Sequence, residues 1–426
     1  MNRKPFISQN IMRNTYSPPS SSLFTAWPGV DKYILGSIIL PDSISKEPNM
    51  LMAVGTFNEY MNPDGIIYNN IYHILLINRN MYLQPITIGA NDTITDILLK
   101  NDKGDYSIII VGRFTRVFDS FDESNNPIYV DSWRVAEFKW DAEVETYSLS
   151  RTLTQDRGAN GEINAAALDY MNNLHLVGEF TKFAGVSCNR YIMLDKYYGV
   201  VAGSGDAWNY KYDVVARKTL AVSKDSLGNV QIFTDTFQMN SYWRYNYGIF
   251  ERVDLLIDEH PGMAISRVLK SKNSNYVIFA MSIAKYYSPG YAEGQCSLSI
   301  YQEGFEYFED ISHNLTKTPY YHDTIYGTII GNKLFIQYVY YIDGISGGIA
   351  FATCNIVGNS VYKKYENDDF PDNDDNVTFG INRVRVAESI NEDYYYLCGI
   401  WAGYHGGLRI MNFENSKLYP DVKLQV

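Results

Sequence analysis

Three stretches of this 426-residue chain repeat one pattern: LMAVGTF ending at Phe57, IIIVGRF at Phe114 and LHLVGEF at Phe180. Each is an apolar run closed by Val-Gly, one variable residue and Phe. Weaker copies follow in QIFTDTF, IFAMSI, FIQYV and YLCGIW, ending at Phe237, Ile283, Val339 and Trp401. The Gly position recurs at 55, 112, 178, 235, 281, 337 and 399, about 57 residues apart on average, near the roughly 50-residue period of propeller repeats with added loops. A repeat of this kind cannot bury its apolar surface alone, so the copies must pack on one another.

The interior of a unit shows what is repeated. In the second, ITDILLKN, YSIIIVGRF, WRVAEFKWD and YSLSRTLT are four strand-like runs separated by Gly, Asp and Asn turn signals. The last alternates, with Tyr147, Leu149 and Leu153 on one side and Ser148, Ser150, Thr152 and Thr154 on the other. Residues 107–111 are almost wholly apolar, as in a strand covered on both faces. Helical periodicity of useful length is missing. The expected fold is all-β, a seven-bladed β-propeller of four-stranded antiparallel blades over residues 31–426, preceded by an N-terminal arm, residues 1–30. Each terminal blade comes from one contiguous stretch, so the ring is expected to close without exchanging a strand between its ends.

The repeated Gly reads as architecture. Without a Cβ it permits close approach of a neighbouring backbone, and the aromatic two residues later fills the adjoining space. A phosphate-binding loop would need a helix after the Gly, and none is signalled.

The third unit also carries LVGEFTKFAGVSCNRYIMLD, which resembles the repeat of the delta-sixty class of β-propellers: a Gly-x-Phe-Thr turn, a short Gly-containing loop and an Asn-Arg-led strand ending in Asp. The matching residues are Gly178, Phe180, Thr181, Gly185, Asn189, Arg190 and Asp195. The match is partial in the first two units, and later units keep only the pattern. The resemblance implies the fold and a binding or structural module of the kind found in bacterial surface proteins and viral particles.

Net charge is −12 with no Lys/Arg-rich block, which disfavours a nucleic-acid partner. No run approaches the roughly 20 apolar residues of a membrane span, and no secretory signal is evident at the start. Cys188, Cys296, Cys354 and Cys398 are far apart and form no CxxC pair, so buried thiols are expected rather than a metal or disulfide scaffold. The six histidines, His73, His175, His260, His313, His322 and His405, show no metal-ligand spacing. His73 and His175 lie in apolar runs that read as strands, and so as hydrogen-bonded core or interface histidines. His322-Asp323 could orient an imidazole, yet no nucleophile elbow accompanies it. No cofactor, metal or catalytic residue is expected, and the chain reads as a non-enzyme.

Binding leaves a stronger trace. In a propeller the links between second and third strands emerge on one face with the links between blades. Here those segments are long and aromatic, carrying Tyr60, Tyr68, Phe118, Phe121, Tyr242, Trp243, Tyr245, Tyr286, Tyr287 and Tyr291 as candidate contact anchors. Phe24 and Trp27 in the Pro/Ser-rich arm are further candidates, the arm either plugging the propeller's own edge or docking on a neighbour. The acidic stretch 366–376, ENDDFPDNDDN, lacks EF-hand spacing and reads as a solvated loop between the last two units. The Tyr count of 37 and the Asn- and Ile-rich composition, with this fold, lead to the expectation of a virion component. It would be a phage tail or head-to-tail protein, oligomeric in its assembly and bound to other structural proteins. The alternative is a glycan- or protein-binding propeller on a cell surface.

Overall fold

The computed structural model describes residues 14–15 and 29–204 continuously within each range. Beyond these it describes 218–224, 230–235, 241–246, 249–254, 263–272, 274, 276–283, 296–302, 309–310, 325–342, 345–358, 360–370, 383–400, 408–413 and 418–419. Among these residues the fold is all-β, with helix limited to one 3-10 turn, Asp42–Ile44.

Among the described residues ten sheets form: seven follow one another along the chain as antiparallel meanders, the sixth extended by a parallel strand, Lys270–Lys272, and three are satellites of two to four strands. The first main sheet pairs Ile34–Ile39, Leu51–Gly55 and Ile74–Ile77, with a bridge from Ile77 to Leu83 at its outer edge. The second runs through Ile94–Asp102, Asp105–Gly112, Val135–Asp141 and Thr146–Thr152. Ile163–Leu168, Leu174–Gly178 and Tyr191–Leu194 make the third, again with an outer bridge, Leu194 to Val200. Four further sheets begin at Lys218–Lys224, Met263–Val268, Tyr326–Ile330 and Arg383–Ser389.

Burial follows strand order within a sheet. Every residue of Leu51–Gly55 and Leu174–Gly178 is buried, whereas the outer strand Thr146–Thr152 is mostly half-buried or exposed. Inner strands are covered on both faces by neighbouring sheets, so each position gains from being apolar.

The first strands of consecutive sheets lie side by side except between the fifth and sixth, where Lys270–Lys272 pairs in parallel with Tyr326–Ile330, and Arg383–Ser389 of the last also lies against Ile34–Ile39 of the first. Apolar clusters fill the junctions. Met52, Val54, Ile108 and Ile110 share one cluster between the first and second sheets, and Ile109, Val111, Leu174 and Leu176 another between the second and third. Phe335, Tyr395, Leu397 and Phe413 join the last two sheets, while Leu51, Ala53, Tyr396 and Cys398 join the last to the first. Side chains stitch the inner strands as well. Ser37 Oγ donates to Glu388 Oε1 at 2.8 Å, and Thr95 Oγ1 donates to the Ile163 carbonyl at 2.6 Å. Consecutive sheets arranged in this way, inner edge to inner edge, make a β-propeller.

The repeated Gly has the role read from the sequence. Gly55, Gly112 and Gly178 close the second strand opposite a bulge in the first. A Cβ there would lie 1.8, 2.3 and 2.1 Å from the carbonyl oxygens of Tyr33, Thr93 and Glu162. Those carbonyls accept hydrogen bonds from the residue after each Gly, namely Thr56, Arg113 and Glu179. Gly399 pairs with Val384 at the corresponding register, also beside a bulge. Phe57, Phe114 and Phe180, two residues beyond the first three glycines, are fully buried.

Two readings of local structure are corrected. Glu366–Phe370 is not loop but the end of strand Ser360–Phe370, paired with Ile349–Ala352; residues 371–376 lie outside the described residues. His73 is not in a strand: at φ 69° it occupies the turn before Ile74–Ile77. The N-terminal arm is described at only two places, and both make ladder contacts. Asn14–Thr15 pairs with Ile66–Ile67, and Gly29–Val30 with Tyr60–Met61. Cys188, Cys354 and Cys398 are buried, and burial pushes the Cys188 thiol up to about 11.

Candidate functional site: the hairpin-bearing end

In each of the first three units the link between second and third strands folds into a hairpin: Glu59–Met61 with Ile66–Asn69, Arg116–Phe121 with Pro127–Asp131, and Lys182–Phe183 with Val186–Ser187. The turns contain residues suited to them. Asn62 Oδ1 accepts from the amides of Asp64 and Ile66, and Asp122 Oδ1 from the amide of Asn126.

What holds each hairpin to its sheet is a second repeat that the Gly pattern does not reveal. Gly29-Val30-Asp31, Gly89-Ala90-Asn91 and Gly158-Ala159-Asn160 each stand before a first strand that opens on Ile. The Gly-Val and Gly-Ala pairs add a short strand to the hairpin, and Ala159 bridges to Phe183. The Asp or Asn then clamps it. Asp31 Oδ1 accepts from the amides of Asn58 and Glu59 at 2.8 and 3.0 Å, Asn91 Oδ1 from Thr115 and Arg116 at 3.0 and 2.9 Å, and Asn160 Oδ1 from Thr181 and Lys182 at 2.9 and 2.9 Å.

A third repeated position is cationic or imidazole. His73, Arg134 and Arg190 all have positive φ, stand just before the third strand, and accept the amide of the repeated Gly on their carbonyls. Arg134 Nη1 donates to the Ala159 carbonyl at 2.7 Å, and its guanidinium lies 5.2 Å from the Trp133 ring centroid. Glu162 faces Arg113 at 3.8 Å, and Glu179 faces Arg190 at 3.6 Å. Burial raises the Glu162 carboxyl above its ordinary value against the pull of Arg113, with Asp92 and Glu179 adding to the rise. Burial lowers the His73 imidazole, opposed by Asp92. The arrangement is a band of alternating charge where the first three units meet. Such a band can recognise polar groups.

The candidate anchors distribute unevenly. Tyr60 is fully buried, and its hydroxyl donates to the Met81 carbonyl. Phe118 is buried within an edge-to-face cluster with Tyr72, Phe121 and Tyr129, at centroid distances of 4.9, 5.3 and 5.6 Å. Tyr68 and Phe121 are half-buried, Tyr68 against the core. Phe118 and Phe121 therefore cover their own hairpin, whereas Tyr60 and Tyr68 pack into the core between the first and last sheets. Tyr242, Trp243 and Tyr245 are placed in a strand, Ser241–Asn246, not in a loop. It pairs with both Val230–Asp235 and Ile249–Asp254, as a run of strong β-formers favours. Tyr286, Tyr287, Tyr291, Phe24 and Trp27 lie outside the described residues, as do His260, His313, His322 and His405. The exposed apolar residues at this end are ones sequence reasoning missed: Ile128, Val130 and Val186. Their signal was alternation within short hairpin strands.

His175 is a core histidine, as expected. Its Nδ1 lies 2.9 Å from the Tyr191 hydroxyl and its Nε2 3.4 Å from Asp169 Oδ2, with no exposed surface. No group of three metal-ligating side chains occurs among the described residues. Nor, among them, is any helix long and apolar enough to cross a membrane.

No protein family and no curated protein matches the sequence. Among solved structures, YCF48 from Cyanidioschyzon merolae is similar with a TM-score of 0.48 and 10% identity, over 92% of this chain and 100% of that one. An ancestral GH74 enzyme gives a TM-score of 0.46 and 11% identity over 92% of this chain, which spans about half, 49%, of the enzyme's length. The β-propeller domain of the Trilobed protease from Pyrococcus furiosus gives 0.42 and 9% identity over 93% of this chain and 99% of that domain. These likenesses transfer no activity, ligand or partner to this chain.

Proposed function

We propose that the chain is a non-catalytic structural protein: a seven-bladed β-propeller that binds neighbouring proteins of a larger assembly through its hairpin-bearing end. The seven consecutive main sheets and the contact between the first and last support the blade number and the closed ring. One observation carries the interaction reading. The links between second and third strands are not tight turns but hairpins with their own ladders, clamped at three repeated positions, and the second and third carry exposed apolar residues. Rigid projections on a rigid scaffold suit recognition of a partner surface.

The assembly is proposed to be a virion, with the chain in a phage tail or head-to-tail structure; the composition and the repeat resemblance support that choice. Removing residues 122–126, the tip of the second hairpin, should lower recovery of the chain in purified particles while its cooperative unfolding persists. Absence of the intact chain from every particle would refute the virion reading. Unchanged recovery of the shortened chain would refute the role of the hairpin.

A further inference from the structure

The hairpins of the first two units are built alike but finished differently. Both have the inner edge closed by the Gly-Val or Gly-Ala strand. In the first, the outer strand Ile66–Asn69 is closed as well, by Asn14–Thr15. In the second, the outer strand Pro127–Asp131 pairs only with Arg116–Phe121 among the described residues, leaving its other edge without a ladder partner.

The side chains on that edge are unusual for one meant to stay in water. Tyr129 turns inward onto Phe118 and under the Arg116 guanidinium, while Ile128 and Val130 are 48% and 41% exposed. Exposed edges are normally blunted with charge, and here only the ends are guarded, by Pro127 and Asp131. The hairpin is also acidic. Asp122, Glu123 and Asp131 are exposed on it, against the single cation Arg116.

We propose that this edge is a β-strand acceptor for an extended, basic segment of a neighbouring protein, which pairs with Ile128–Val130 as a fourth strand of the second satellite sheet. Backbone pairing supplies the contact, Ile128 and Val130 select apolar residues at alternate positions, and the surrounding carboxylates select Lys or Arg between them. The first hairpin shows that a satellite sheet of this design takes a strand at this position. The inference rests on the interaction role proposed above and names the chemistry of the partner.

Titration of the full chain with a synthetic (Lys-Val)5 peptide, followed by hydrogen exchange, tests it. Saturable binding is expected, with new amide protection confined to residues 128–131 and affinity falling as salt rises. A (Glu-Val)5 peptide should bind about tenfold more weakly or not at all. The double variant Ile128→Lys, Val130→Lys should lose binding with its unfolding midpoint unchanged, since both positions are exposed. Should that variant not fold, Glu123→Gln with Asp131→Asn leaves the edge intact and should weaken the basic peptide severalfold. No binding, equal binding of the two peptides, or protection elsewhere would overturn the proposal. Lost peptide binding with normal recovery of the double variant in particles would keep the acceptor edge and refute the assembly role.

Discussion

At the residue scale the decisive quantity is the space beside a backbone carbonyl. A Cβ at position 178 would overlap the Glu162 oxygen, and neither backbone can withdraw without breaking the ladder around it. Gly178→Ala should therefore destabilise the protein by about 3 kcal/mol. Gly104→Ala, at φ 95° but in open space, should cost only about 1–2 kcal/mol for its left-handed backbone. Denaturant midpoints of the two variants make the comparison. His175 gives a pH dependence. Burial holds its pKa below the ordinary 6.5 despite hydrogen bonding to Asp169, so the native state stays neutral where the unfolded chain takes a proton. Stability is then full above about pH 6.5 and declines as pH falls below it. His175→Gln should flatten the slope of stability between about pH 6.5 and 5, leaving the part due to His73, which burial also lowers.

At the scale of elements, the clamp explains why the hairpins stand where they do. Each Asp or Asn side chain satisfies two amides at the base of its hairpin, groups that would otherwise be left without a ladder partner. Asn160→Ala should cost about 1–2 kcal/mol and speed amide exchange at Thr181 and Lys182, while Asn160→Asp, the natural choice at position 31, should restore both. The strand Ser241–Asn246 leads to a different expectation from the one its aromatics suggest in the sequence. Replacing Tyr242, Trp243 and Tyr245 by Ala removes strong β-formers from a strand with partners on both sides. A lower melting midpoint is expected before any effect on partner binding, and calorimetry of the triple variant checks it.

For the whole molecule the critical junction is the one between the ends of the chain. Ser37 and Glu388 are 351 positions apart in sequence and hydrogen-bonded in a buried setting, and the cluster around them draws on both the first and last sheets. A double-mutant cycle of Ser37→Ala and Glu388→Gln should give a coupling of about 1 kcal/mol, whereas an open ring would give none. Truncation before Arg383 should expose the apolar residues of the first sheet and abolish cooperative unfolding, because a sheet covered on one side only loses about half its core.

Much of this was legible from residues alone because repetition multiplies a weak local signal. One LVGEF segment is compatible with many folds, but its recurrence beside alternating strands and Asn or Asp turns leaves little besides stacked four-stranded units. Steric necessity did the rest: Gly55, Gly112 and Gly178 admit no side chain, and that is visible as an invariant letter. The clamp residues Asp31, Asn91 and Asn160 were written in the chain too, yet their partners lie more than twenty positions away and only the folded hairpin brings them together. Exposure was not written there at all. Tyr60 and Ile128 occupy comparable hairpins, and tertiary packing buries the first and leaves the second in water, since an aromatic ring finds an interior only where other strands happen to cover it.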